Sequence, residues 1–157
     1  MLLYVNIQQV WRHINDPKYL VFVQDCTDAF VTADGNIPTY NKLEYNLDNV
    51  CSGTVLLFLW KQTGDSMYKK AALLLRDQLK THPRTKEDGC WHKLIYPYQT
   101  SLDGLFMADF FYAQYALLFK EPGHFRRHCI AVHALMEKRA QDAKTGLLHH
   151  DYDELQQ

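Results

Sequence analysis

The 157-residue chain has no excess of either charge: 17 Lys and Arg against 18 Asp and Glu leave a formal net charge of −1. That balance gives no electrostatic basis for gripping nucleic acid or an anionic membrane surface. Short basic stretches such as FRRH at 125–128 read as a solvated helix face. Long hydrophobic runs are missing too, since none approaches the ~20 residues needed to cross a bilayer. The amino terminus, MLLYVNIQQVWRH, shows no basic leader and no small-residue cleavage site. A cytoplasmic location is therefore expected, with the periplasm as the alternative. Cysteine is sparse: Cys26, Cys51, Cys90 and Cys129 are widely spread and form no CxxC pair. This is the pattern of isolated reduced thiols, not of a disulfide framework.

Catalytic and cofactor signatures are equally scarce. There is no Gly-rich phosphate loop and no GxSxG, and no cysteine has an obvious activating partner. His124 and His128 stand four apart, a spacing that can ligate a metal on a helix. Without the HExxH glutamate or a third ligand they read as a surface pair. Neither a metal nor a nucleotide cofactor is expected.

What the chain does have is a repeat. The segment VWRHINDPKYLVFVQDCTDAF (10–30) aligns without a gap on LWKQTGDSMYKKAALLLRDQL (59–79). Trp11 falls on Trp60, Asp16 on Asp65, Tyr19 on Tyr68 and Asp28 on Asp77. A weaker third copy runs from 117 to 138, with Phe125 in the Tyr place. Each copy joins an apolar helix, a short break and a more amphipathic helix. In the second copy Tyr68, Ala72, Leu75 and Leu79 keep helical spacing, with Lys69, Lys70, Arg76 and Asp77 on the other face. The fold class is therefore all-α, with helical hairpins over 2–14 and 17–31, 49–63 and 65–81, and 103–120 and 123–141. The first helix of each pair should be buried on both sides and the second should face water. A ring of inner helices wrapped by outer ones satisfies this, and so does an open solenoid.

Between the hairpins lie two long loops, 32–48 and 82–102, rich in Tyr, Pro, Gly and charge. Loops this long in a compact domain are usually functional. Both enter the amino-terminal ends of inner helices, so they gather on one rim. The second contains CWHKLIYPYQTSL (90–102), too polar and too Pro-broken for core.

The runs YNLDNVCSG (45–53), KTHPRT (80–85), WHKLIYPYQTSLDGLFMADFFYAQYA (91–116) and TGLLHHDYDE (145–154) resemble the unsaturated rhamnogalacturonyl hydrolases, glycoside hydrolase family 105. The resemblance covers essentially the whole chain, in order, and implies a partial (α/α)6 barrel over 1–157, about half of the toroid. It also implies a substrate: an unsaturated uronic-acid oligosaccharide from pectin, whose terminal sugar carries a C4–C5 double bond. The family protonates C4 and adds water at C5. The resulting hemiketal collapses and expels the neighbouring sugar, commonly rhamnose, so the two-carboxylate spacing rule for ordinary glycosidases does not apply.

By the same resemblance Asp103, in LDG, is the general acid and base, and Asp48, in LDN, is its partner. The plain reading of either is a helix N-cap. A helix dipole would lower the Asp103 pKa, against an acid role. A nearby Asp48 carboxylate is expected to push it back up, because two close carboxylates do not both ionise easily. His92, Lys93, His150 and Trp91 are the expected substrate-binding residues, with Lys or His meeting the uronate carboxylate. Tyr96 and Tyr98 read as packing of the YPYQ turn, and His149 as a bystander.

Two features depart from the family pattern. Three hairpins stand where its barrel needs six, and the aromatic and Arg contacts of its downstream half are absent. Thr100-Ser101 also replaces the usual Met-Trp before LDG, and Ser cannot stack on a sugar. An open half-toroid would expose a large apolar surface. Self-association, or pairing with a second half-barrel chain, is therefore expected. The alternative function is a non-catalytic helical scaffold or sugar-binding remnant.

Overall fold

The computed structural model describes residues 2–121 and 136–156. The helices that stand whole among them are α1 (Leu2–Ile14), α2 (Pro17–Asp28), α3 (Leu47–Val50), α4 (Gly53–Thr63), α5 (Ser66–Thr81) and α6 (Leu102–Phe119), and residues 136–139 are helical as well. A 3-10 turn at Lys42–Glu44 and two short strands, β1 (Gln99–Ser101) and β2 (Asp151–Asp153), complete them. Most of the expected helix 123–141, with His124, His128 and Cys129, lies outside the described residues. No helix among the described residues is long and apolar enough to cross a membrane.

The repeat is built from the same devices at equivalent positions. Asp16 caps α2 by accepting from the Lys18 amide, and Asp65 caps α5 by accepting from the Met67 amide. The first helix of each pair ends on a left-handed residue, Asn15 in one and Gly64 in the other. There the backbone amide returns to the carbonyl of Trp11 or Trp60. Gly and Asn are the residues that adopt this conformation most readily. Each repeat Trp then reaches an aromatic of the next hairpin's first helix: Trp11 meets Phe58 edge-on at 5.2 Å, and Trp60 stacks on Phe119 at 5.3 Å. Tyr68 closes the joint from the outer side by donating to Asp28 at 2.5 Å.

Burial follows the inner–outer scheme best at the centre. Every residue from Gly53 to Leu59 is buried, so α4 is enclosed all round over that stretch. α1 is less covered, with Val10 37% and Ile14 60% exposed. In α5 the apolar stripe is as expected, but Arg76 is not on the wet face: it is 7% exposed. Its guanidinium lies 4.4 Å above the Tyr112 ring, donates to the Tyr112 hydroxyl at 2.9 Å and reaches Glu121 at 3.5 Å. Arg can enter such a place because its planar, weakly hydrated head stacks on aromatic rings.

The expected single helix 49–63 is instead two pieces, since α3 passes into α4 through a tightened step at Cys51–Ser52. The Ser52 and Val55 amides bond three residues back there. Gly53 sits at this step because α6 comes too close for a side chain. A Cβ there would lie 2.3 Å from the Phe111 ring.

One more departure positions the site. β1 falls within the expected loop 82–102 and pairs antiparallel with β2, Thr100 opposite Tyr152 and Ser101 opposite Asp151. Strands of three residues carry no alternation to read, so nothing in the sequence announced them.

Candidate active site

Two loops and one strand pair build the rim. The fully buried amide of Gln78, on α5, ties the loops together: it accepts from the Tyr40 hydroxyl, donates to the Asn46 carbonyl and meets His82 Nδ1. His82 Nε2 in turn contacts the Trp91 carbonyl at 2.8 Å. Main-chain bonds finish the work, with the Leu47 amide donating to the His92 carbonyl and the His92 amide to the Gln99 carbonyl. The β1–β2 pairing brings in the distant tail, because the Leu102 amide donates to the His150 carbonyl.

Asp48 and Asp103 occupy the same place, the second residue of α3 and of α6. Neither is the N-cap. Asn46 caps α3 by accepting from the Asp48 amide, and Ser101 caps α6 by accepting from the Gly104 amide. Both carboxylates are thereby released to face the rim. His92 lies between them: its Nε2 is 3.5 Å from Asp48 and its Nδ1 3.7 Å from Asp103. Lys93 pairs with the other oxygen of Asp48 at 2.7 Å. Ser101 joins the remaining two, with its hydroxyl 2.8 Å from His92 Nδ1 and donating to Asp103 at 2.5 Å. His150 stands at the mouth, 65% exposed at its side chain and 3.9 Å from Asp103.

These groups surround a cleft of 320 Å³ lined by His92, Tyr96, Gln99, Ser101, Asp103, His150 and Asp151. Burial pushes the Asp103 carboxyl up, but the Ser101 hydroxyl, His92, His150 and the Gly104 amide outweigh it. Its pKa lies below the ordinary carboxylate value. This corrects the expectation that Asp48 keeps a proton on Asp103. An imidazole stands between the two carboxylates, and Lys93 compensates the Asp48 charge. That contact in turn raises the Lys93 pKa against a smaller effect of burial.

Asp48, His92 and Asp103 each present a ligating atom, all within 4.8 Å of one another, the spacing of a cation site. Within this set Lys93 already pairs with one oxygen of Asp48, and the Ser101 hydroxyl donates to one oxygen of Asp103.

Of the residues singled out from sequence, Asp48, Asp103, His92, Lys93 and His150 converge. Trp91 does not line the cleft; its ring packs on Tyr98 at 4.8 Å. Tyr96, read as packing, does line it. His149 is exposed and off the cleft. Ser101, Gln99 and Asp151 were missed. Ser101 had a signal: a serine immediately before an apolar helix is as good an N-cap as an aspartate, and it sits two residues before Asp103. Gln99 and Asp151 had none, because the strand pairing delivers them.

A helical-hairpin repeat with a carboxylate–histidine rim makes this an all-α fold whose polar groups gather at one end of the hairpins. The comparisons narrow it. A family model described as Glycosyl Hydrolase Family 88 matches residues 2–157, so the chain belongs to that family. A solved glycoside hydrolase of family 105 from C. acetobutylicum ATCC 824 superposes with a TM-score of 0.93 at 43% identity. The match covers 97% of this chain and 42% of that one, so this chain spans less than half the length of that relative. The family 105 resemblance and the partial helical toroid both hold.

Proposed function

We propose that the chain carries the acid–base rim of a hydrolase for unsaturated galacturonyl–rhamnose oligosaccharides from rhamnogalacturonan. The observation that carries this reading is Asp103, released from capping and held between Ser101, His92 and His150 on the cleft. Protonated, Asp103 would give its proton to C4 of the unsaturated uronate. As a carboxylate it would then take a proton from the water that attacks C5, which restores the acid. The C5 hemiketal then opens and releases the neighbouring sugar. Asp48 holds His92 and Lys93 in place, and the Lys93 ammonium and the His92 and His150 rings would meet the uronate carboxylate.

Incubating the chain with an unsaturated galacturonyl–rhamnose disaccharide tests this, because hydration of the double bond removes its ultraviolet absorbance. Steady loss of signal with the wild-type chain supports the reading; a flat trace overturns it for this polypeptide. The second reading, a scaffold that keeps the fold without the chemistry, draws on Thr100 and Ser101. Both are buried, at 2% and 3% exposure, where the family resemblance implies an aromatic platform for the sugar.

The proposed partner is a second copy or a second half-barrel. On α6, Leu117 is 81% and Phe106 40% exposed, and α1 adds Ile14 at 60%. Apolar faces of this kind are covered by association. Sedimentation in dilute solution checks it: an assembly is expected, and a strictly monomeric profile contradicts it.

A further inference from the structure

We propose that Ser101 makes His92 and Asp103 a single proton-sharing unit, relaying a proton from His92 Nδ1 through its own hydroxyl to Asp103 Oδ1. The proposal rests on Asp103 being the acid of the reading above and adds to the attacking water a second route by which Asp103 gains a proton. Hydrogen-bond valence carries it. A serine hydroxyl has one proton to give and two lone pairs. The Ser101 proton goes to Asp103 at 2.5 Å. The oxygen's two other close polar neighbours are the Gly104 amide at 3.3 Å and His92 Nδ1 at 2.8 Å. An amide can only donate. With its single proton already directed to Asp103, the oxygen can meet His92 Nδ1 only as an acceptor. His92 Nδ1 must therefore carry a hydrogen.

The other ring nitrogen supports the same arrangement. Nε2 faces the Asp48 carboxylate at 3.5 Å, so an imidazolium would present both N–H groups to acceptors. The groups around the ring are Asp48 and Lys93 on one side and Ser101, Asp103 and His150 on the other. In the transfer the Nδ1–H bond breaks as a new Oγ–H bond forms. The original Oγ–H proton passes to Asp103 Oδ1 at the same time. His92 is left neutral with its proton on Nε2, directed at Asp48, and Asp103 is left protonated beside the cleft. No redox partner is needed. Ser101 is 3% exposed, so its hydroxyl has little contact with bulk water although it lines the cleft.

The state of the ring is measurable without turnover. Long-range proton–nitrogen spectra of the chain, at a pH where the His92 ring is neutral and Asp103 is a carboxylate, report which nitrogen holds the hydrogen. The expected result is Nδ1–H. Ser101→Ala is expected to lose this preference and to let the Asp103 carboxyl titrate at higher pH, and Ser101→Thr is expected to restore both. A neutral ring with its hydrogen on Nε2 in the wild type overturns the proposal, because Ser101 would then be donating to His92. An unchanged Asp103 titration in Ser101→Ala overturns it as well. On the unsaturated disaccharide, Ser101→Ala should lower kcat about ten- to a hundredfold with KM little changed, and Ser101→Thr should recover it. Wild-type turnover matched by Ser101→Ala overturns the relay. A wild type without turnover contradicts the proposed function and removes the relay's catalytic role, while the ring spectrum still decides the proton-sharing unit.

Discussion

The two ends of the helical hairpins use the same residue type for different work. At the turn end, Asp16 and Asp65 each give a carboxylate oxygen to a backbone amide and start a helix. At the opposite rim, Asp48 and Asp103 also stand in the first turn of a helix, yet Asn46 and Ser101 do the capping. An aspartate beside a helix start is thus not assigned by its type. It is assigned by whether another side chain already satisfies the amides. Where one does, the carboxylate is available to histidine, lysine and a ligand.

The largest effect that separates the two ends is catalytic. Asp103→Asn is expected to reduce turnover of the unsaturated disaccharide by roughly 10²–10⁴-fold, the usual range for removing a general acid. The folded state should be little affected, since the Ser101 cap remains; thermal melting of the same sample checks that. In the interior, Arg76→Ala is expected to destabilise by about 2–4 kcal/mol, because it empties a packed site between α5 and α6 and removes the guanidinium that donates to the Tyr112 hydroxyl. Denaturant titration reads this, and activity per folded molecule should change less. Gly53→Ala pushes a methyl group into the Phe111 ring and should cost about 1–3 kcal/mol by the same measurement. At the turn end, Asp65→Ala should cost only about 1 kcal/mol and leave the rim untouched.

The smallest effect is in acid. Asp103 has a folded pKa below its unfolded value, so it binds fewer protons when folded. Its stabilisation is present above the ordinary carboxylate value of about 3.9 and is lost as pH falls through the lower folded value. Asp103→Asn should therefore show a shallower loss of stability than wild type below that pH. With its side chain 42% exposed, the difference should be modest.

Much of the scaffold was legible because the repeat is written in residues with strict conformational meaning. Asn15 and Gly64 fall at matching positions and both take the left-handed conformation; Asp16 and Asp65 follow them and both cap. The convergence of Asp48, His92 and Asp103 was legible through motif resemblance, and their gathering on one rim through the loops that enter inner helices. Three features were not. Arg76 reads as surface by pattern, and its burial depends on the Tyr112 and Tyr115 rings supplied by another helix. β1 and β2 are too short to show a period, so neither Asp151 nor the route that brings His150 to the rim was visible. Ser101 was noticed only as a missing aromatic, because its role depends on two partners, one nine residues back and one two ahead.

The account stands most directly on one paired assay: the decay of ultraviolet absorbance of an unsaturated galacturonyl–rhamnose disaccharide with Asp103→Asn and, in parallel, Asp65→Asn, at matched folded concentration. The division of labour between the two ends predicts that Asp65→Asn follows the wild type while Asp103→Asn leaves the absorbance flat. Equal decay in the two variants would contradict it and would reduce the rim carboxylate to one more structural aspartate.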